Sequence, residues 1–306
     1  MATIKELAAK GDLFTSGHRA CAGCGGTVIL RLLMAVAGKD TVVTGATGCM
    51  EVVSTIYPFS AWNVPFIHDA FENSAATASG IEAAYSSLKR QGKIDKDIKF
   101  IAFGGDGGTY DIGLQSLSGA MERGHNLLYV CYDNGAYMNT GIQRSSATPR
   151  ASNTTTSPAG TVVKGKLQNR KDLTEIMIAH NISYAAQASP SNWQDFTNKV
   201  NKALSVEGPS FIDVLSPCPL GWGYEPSKSI ELARKAVDSL FWPIYEWENG
   251  KYKINVKPKK VIDIEEFLFE QQRFRHLKKE PAIVEEIRQN INAKWEQLLQ
   301  KEKNCS

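Results

Sequence analysis

The stretch Ile98–Gln143, IKFIAFGGDGGTYDIGLQSLSGAMERGHNLLYVCYDNGAYMNTGIQ, restricts what this chain can fold into more than any other. It opens on a short apolar run, Ile98 to Phe103, rich enough in β-branched and aromatic residues to form a buried strand. The run stops at Gly104-Gly105-Asp106-Gly107-Gly108, where missing Cβ atoms let the backbone turn tightly against a ligand. The pattern then predicts a helix over 112–123 with Gly124 as its cap. A second apolar strand over 127–132 runs into Asp133-Asn134-Gly135. One crossover helix and one strand separate Asp106 from Asn134, so both fall at the ends of parallel strands. Ligands of open α/β sheets bind at those carboxyl ends, which brings the two side chains to one site.

A carboxylate, an amide oxygen and free backbone carbonyls make a hard oxygen set suited to Mg²⁺, which takes its remaining ligands from phosphate and water. The glycine amides and a helix N-terminus near Asp111 would cradle that phosphate. Taken alone, Gly-Asp-Gly is also what a simple tight turn looks like.

A second cluster begins at Gly17, in GHRACAGCGG, where Cys21 and Cys24 form a Cys-x-x-Cys loop. A helix is predicted over 27–37 and a strand over 41–44, after which Ala46-Thr47-Gly48-Cys49 supplies a third thiol. Far downstream, a strand over 211–215 leads into Ser216-Pro217-Cys218-Pro219. Four thiols match the count for a [4Fe–4S] cluster and for a Cys₄ zinc site, and spacing alone does not separate the two. A thioredoxin-like redox pair would leave two of the four without use. Cys131 lies inside an apolar strand and reads as core, and Cys305, next to the C-terminus, as solvated.

The remaining chain supplies elements more than chemistry. Residues 57–71 read as an aromatic, proline-rich loop, and Glu72-Asn73 opens an Ala-rich helix to about Arg90. His68, Asp69, Glu72 and Asn73 gather before that helix, as caps and surface groups by their types. Residues 144–170 are Ser/Thr-rich and without periodicity, a long loop in which Arg144, Thr148 and Arg150 are candidates to meet a carboxylate. Helix–strand alternation returns over 172–215, with His180 at a helix end. A helix follows over 230–240, then a hairpin about Asn249-Gly250. Residues 263–303 form a charged, helically spaced tail. The basic segment 251–260 reads as a solvated surface or as a face for an acidic partner. These elements predict an α/β fold, a mostly parallel sheet flanked by helices, over residues 1–225. Residues 226–306 are expected as a mostly helical extension that packs on the domain or on partner subunits.

A net charge of +3 gives no basis for nucleic-acid binding, and no apolar run is long enough to span a bilayer. The N-terminal MATIKELAAKGD lacks the apolar core of a signal peptide, so a cytoplasmic protein is expected. In that setting six cysteines point to metal or redox chemistry before disulfides.

GDGG followed by the Asn134 loop resembles the thiamine diphosphate (ThDP) and Mg²⁺ motif of thiamine-dependent enzymes. The longer runs GDGGTYDIG and YDNGAYMNTGIQ, with CAGCGG, ATGCMEVV and LSPCPLGWG, are similar to the ThDP-binding β subunits of the 2-oxoacid:ferredoxin oxidoreductases. The likeness spans about residues 11–225 and implies a three-layer ThDP-binding fold. It also implies Cys21, Cys24, Cys49 and Cys218 as ligands of one [4Fe–4S] cluster, and Asp106, Asn134 and the Ala136 carbonyl as Mg²⁺ ligands. Gly105, Gly107, Gly108 and Cys49 would border the cofactor, with Asn139 beside the reacting centre in a catalytic place and Glu72 near the pocket. The implied reaction converts pyruvate, coenzyme A and oxidised ferredoxin to acetyl-CoA, CO₂ and reduced ferredoxin. Relatives acting on 2-oxoglutarate, branched-chain 2-oxoacids or oxalate carry the same motifs. ThDP enzymes need a glutamate from a pyrimidine-binding domain, which is missing here along with any ferredoxin-like cysteine segment. Alpha, gamma and delta-type partner subunits are therefore implied. Gly26 departs from the family's single-chain members, which carry glutamate there. A Cys₄ zinc structural protein and an iron-free ThDP decarboxylase are the competing readings.

Overall fold

Strands β3 (Lys99–Gly105) and β4 (Leu128–Asp133) lie side by side and parallel at the centre of an eight-stranded sheet in the computed structural model, which describes residues 3–304. The other strands are β1 (Thr41–Ala46), β2 (Phe66–Asp69), β5 (Tyr184–Ala188), β6 (Ser210–Leu215), β7 (Ile244–Glu248) and β8 (Lys251–Val256). The order is β2-β1-β3-β4-β6-β5-β7-β8. Strands β1 to β6 pair in parallel, and the hairpin β7–β8 adds antiparallel at the β5 edge. Asn249 and Gly250 both take positive φ in its turn, as a tight hairpin between right-twisted strands requires.

Every residue of β4, β5 and β6 is buried, which is why these segments read as unbroken apolar runs instead of alternating ones. On one face the helix Gly25–Ala37 inserts Ile29, Leu30, Leu33 and Met34 against Val43, Ile101 and Val130. The helix Trp193–Ala203 adds Phe196 and Val200 to the same cluster. On the other face Ala75, Ala78, Leu117, Met121, Leu173 and Met177 cover Ala102, Tyr129 and Phe211. They come from the helices Ser74–Arg90, Leu114–Glu122 and Leu173–Ile178. A fully buried side chain of this size contributes about 1.5–3 kcal/mol, so both helix layers are held by the sheet.

A third cluster packs Trp222 against Trp242, Phe267, Phe274 and Leu277 of the segment after residue 225. The C-terminal helix Pro281–Asn304 returns across the sheet, where Leu298 joins the second cluster. The residues after 225 thus contribute two strands to the common sheet as well as helices.

Two local expectations need correcting. The segment expected as a loop up to Phe71 contains β2, whose pattern of one buried residue in four gives no periodic signal. The helix expected from Ile112 begins at Asp106, with a π-helical turn over Gly108–Ile112 before Leu114–Glu122. Wide turns of this kind concentrate at functional sites, and their extra residue breaks the 3.6-residue pattern that sequence reading relies on. The helix start lies at the glycine-aspartate turn itself and not near Asp111. Asp111 instead accepts a hydrogen bond from the Ser146 backbone amide at 3.0 Å. Cys305 lies outside the described residues. Among the described residues no helix is long and apolar enough to cross a membrane.

Candidate active site

Four neighbouring strands, β1, β3, β4 and β6, end at one rim, and each delivers one of the predicted residues. Cys49 follows β1, Asp106 follows β3, Asn134 follows β4 and Cys218 follows β6. A small cleft opens there. Cys49, Gly105, Gly107, Gly108, Asn134, Ala136 and Asn139 line it, together with Tyr132 and Tyr137.

Asp106 is fully buried at the floor of this rim. Its Oδ1 accepts from the Asn134 amide at 3.3 Å and its Oδ2 from the Ser145 hydroxyl at 2.5 Å. Burial, and then the Asp133 charge, push its pKa well above the usual carboxylate range, against the pull of those two bonds. The Asn134 side-chain oxygen lies 2.8 Å from the Ala136 carbonyl oxygen and 3.0 Å from Asp106 Oδ1. Turning the amide over would make two hydrogen bonds of these contacts. With the oxygen inward, Asn134 stands about 3 Å from each of the other two oxygens, the separation of adjacent corners in an octahedron of about 2.1 Å metal–oxygen bonds. The donor set therefore fits Mg²⁺.

The glycines keep the cleft open. A Cβ on Gly107 would sit 2.4 Å from the Tyr137 ring, and one on Gly108 2.9 Å from the Phe71 carbonyl. Trp222 Nε1 donates to the Asn134 carbonyl at 2.6 Å, and the Thr148 hydroxyl to the Gly135 carbonyl at 2.7 Å. Both bonds fix the loop that carries Asn134.

The thiols gather beside the cleft. The Gly25 amide donates to the Pro217 carbonyl at 3.0 Å, which ties the Cys21–Cys24 loop to the Cys218 segment. Ser229 Oγ donates to the Gly23 carbonyl at 2.6 Å. A Cβ on Gly26 would meet Met50 Sδ at 2.6 Å, so absence of a side chain lets that helix close on the turn bearing Cys49. Burial and the charges of Cys218, Cys24 and Cys21 push the Cys49 thiol up to about 12. Burial is likewise the main cause that takes Cys218 to about 11 and raises Cys24. Thiols that repel one another in this way deprotonate together only around a cationic centre. Four thiols at this rim suit a Cys₄ zinc site and a [4Fe–4S] cluster alike. Cys131 is fully buried in β4, as core.

Several candidates stand elsewhere. Phe71, not Glu72, lines the cleft. Asp69 accepts from Thr77 Oγ1 at 2.6 Å, and His68 meets Thr47 and Glu51. Asn73 precedes its helix without a side-chain capping bond. Arg150 pairs with Glu286 and the Leu167 carbonyl, and Arg144 is exposed. His180 bridges Ser118 and the Ile176 carbonyl.

Sequence reading missed a buried layer behind the site. Arg170 pairs with Asp133 at 2.5 Å and donates to Tyr110 at 2.7 Å, while Tyr110 donates to Asp213 at 2.5 Å. Burial, then Asp133, hold Asp213 up at about 8, opposed by Arg170. Lys166 is buried and donates to the Ser146 and Thr148 carbonyls at 2.9 and 2.6 Å, which pins the long loop. None of these has a spacing signature; each is identifiable only once the loop is folded.

Residues 46–214 match the thiamine pyrophosphate enzyme C-terminal TPP-binding domain. Pyruvate synthase subunit PorB of Methanocaldococcus jannaschii is 57% identical over 94% of this chain and 96% of its own length. The PorB subunit of Thermotoga maritima is 51% identical over 97% and 95%. A solved 2-oxoglutarate:ferredoxin oxidoreductase from Magnetococcus marinus shares the fold, with a TM-score of 0.55 and 22% identity over 70% of this chain and 76% of that one. The chain belongs to the thiamine pyrophosphate enzymes and, among them, to the PorB family of pyruvate synthase β subunits.

Proposed function

We propose that this chain is the ThDP-binding β subunit of a pyruvate:ferredoxin oxidoreductase, which converts pyruvate and coenzyme A to acetyl-CoA and CO₂ with reduction of ferredoxin. The observation that carries the reading is the shared position of Cys49. It lines the cleft floored by Asp106 and Asn134 and belongs to the same set of thiols as Cys21, Cys24 and Cys218. A chain that joins an organic cofactor to an electron acceptor needs the two sites to touch in this way.

Asp106, Asn134 and the Ala136 carbonyl would hold Mg²⁺, and backbone amides at Gly105–Gly108, where a helix begins, would meet the diphosphate. Bound ThDP supplies the electron sink for decarboxylation, and a [4Fe–4S] cluster on the four thiols supplies a one-electron acceptor. The chain's own part is to position and to exclude water. The Trp222 and Thr148 hydrogen bonds fix the Asn134 loop, Tyr132 and Tyr137 wall the cleft, and Asn139 at its mouth is exposed to an incoming 2-oxoacid. The glutamate needed by the pyrimidine ring, and the path of electrons to ferredoxin, fall to alpha, gamma and delta-type subunits.

The test uses the enzyme purified anaerobically with its partner subunits. About four irons and one ThDP per chain, a visible band bleached by dithionite, and pyruvate turned over faster than 2-oxoglutarate, branched-chain 2-oxoacids or oxalate are expected. Stoichiometric zinc without iron would favour a Cys₄ structural site, and preference for another 2-oxoacid would reassign the substrate.

A further inference from the structure

Arg273 comes from the charged, helically spaced tail after residue 225, and it is 4% exposed. Its guanidinium carbon lies over Trp222, 4.1 Å from the ring centroid, and 4.9 Å from that of Phe274. Stacking satisfies the faces of a guanidinium and leaves its edge donors unmet. Nε donates to Gln271 Oε1 at 2.8 Å, whereas Nη1 and Nη2 have no partner. A buried cation with unmet donors costs several kcal/mol unless an anion stands opposite.

The neighbouring carboxylates are already engaged. Asp133 accepts from Arg170 and from the Gly135 amide, and Asp106 from Ser145 and Asn134. The backbone around the arginine is tied to the Cys218 turn and to the long loop. Its carbonyl accepts from the Asn153 amide at 2.9 Å, and the adjacent Gln272 amide donates to the Gly223 carbonyl at 3.2 Å. Gly223 ends the turn that Cys218 begins, and Trp222 in the same turn donates its amide to the Cys218 carbonyl. Nη1 would stand 3.0 Å from a Cβ on Gly135, so the glycine leaves it room between the Asn134 loop and the Cys218 turn. Burial pulls the Arg273 pKa down, and Cys218 is the first neighbour that pulls it back up.

We propose that Arg273 is the charge partner of the iron–sulfur centre, a positioning residue whose cation offsets the anionic thiolate set and raises the cluster's reduction potential. The inference rests on the assignment of Cys21, Cys24, Cys49 and Cys218 made above. It gives the C-terminal extension a task beyond packing. A nearby cation favours the more negative, reduced cluster, so removing it makes reduction harder.

The experiment is a redox titration of the assembled holoenzyme followed by electron paramagnetic resonance, with iron and ThDP contents measured in parallel. Arg273→Gln is expected to shift the reduced-to-oxidised ratio at fixed potential at least tenfold toward oxidised, about 59 mV for a one-electron couple, with iron content and ThDP affinity unchanged. Arg273→Lys, which keeps the cation, is expected to recover most of that shift. If Arg273→Gln does not assemble, wild-type enzyme labelled with ¹⁵N-arginine and reduced is expected to show ¹⁵N coupling to the cluster spin; no coupling overturns the proposal. An unchanged potential at full iron content also overturns it, as does lost ThDP affinity at an unchanged potential, which would assign Arg273 to the diphosphate. Wild-type enzyme without iron would instead remove the cluster assignment itself.

Discussion

Asp106→Asn should change sign with the cofactor, and the structure sets the size of each effect. Without cofactor the Asp106 carboxylate is fully buried, faces the Asp133 charge, and has no cation in contact. Burying an unpaired charge costs several kcal/mol, and hydrogen bonds to a charged group, such as those from Asn134 and Ser145, return about 1.5–3 kcal/mol each. Asparagine is isosteric, accepts from Asn134 through Oδ1, and donates to Ser145 Oγ through Nδ2, so both bonds persist at about 1 kcal/mol each without the desolvation of a charge. The cofactor-free variant is therefore expected to be more stable than the parent by about 1–2 kcal/mol, or about 1.5–3 °C in melting temperature. With Mg²⁺ and ThDP at a hundred times the parental dissociation constant, the parent gains about 2.7 kcal/mol that the variant forgoes, so the order reverses. Thermal unfolding followed by tryptophan fluorescence, in chelator and then in saturating Mg²⁺–ThDP, measures both arms. A variant less stable than the parent in chelator, or equally stabilised by cofactor, would refute the reasoning.

Three further outcomes follow from the same geometry. Asp213 has its folded pKa raised to about 8 from an unfolded value near 4, so the native state holds the extra proton between those limits. Its contribution to stability is complete below about pH 4 and is lost as pH rises through about 8, and Asp213→Asn should flatten that slope in denaturant titrations; an unaltered slope would discard Asp213 as its source. Cys49→Ser should remove iron, read by elemental analysis, while circular dichroism of the sheet stays as in the parent; full iron content would exclude Cys49 as a ligand. Gly107→Ala places a methyl where the half-buried Tyr137 ring stands, 2.4 Å away, at a φ of −58° that alanine accepts. Tyr137 should swing into the cleft, so ThDP affinity by titration calorimetry falls at least tenfold, about 1.4 kcal/mol; unaltered affinity would show that the ring moves outward.

What could be read before folding was what local chemistry carries. Asp106, Asn134, Cys49 and Cys218 each follow a buried strand, and parallel strands send such residues to one rim; spacing grouped Asp106 with Asn134, and the family resemblance added the two cysteines. The hairpin at Asn249-Gly250 was equally legible because positive φ restricts which residues can sit there. The π-turn over Gly108–Ile112 was not, since its extra residue erases the periodicity that marks a helix. Strand β2 has one buried residue in four and carries no alternation. Arg273, Arg170 and Lys166 were hidden for a different reason. A cation is ordinarily solvated, and the burial of Arg273 and Lys166 and the partial burial of Arg170 depend on loops and a C-terminal segment brought in from far along the chain.

Diffraction from the assembled enzyme at the iron absorption edge tests the central claim most directly. A single anomalous site enclosed by Cys21, Cys24, Cys49 and Cys218, with diphosphate density at Asp106 and Asn134 on the other side of Cys49, is the predicted result. An iron signal elsewhere in the complex, with those four sulfurs bare or closed on zinc, would contradict it.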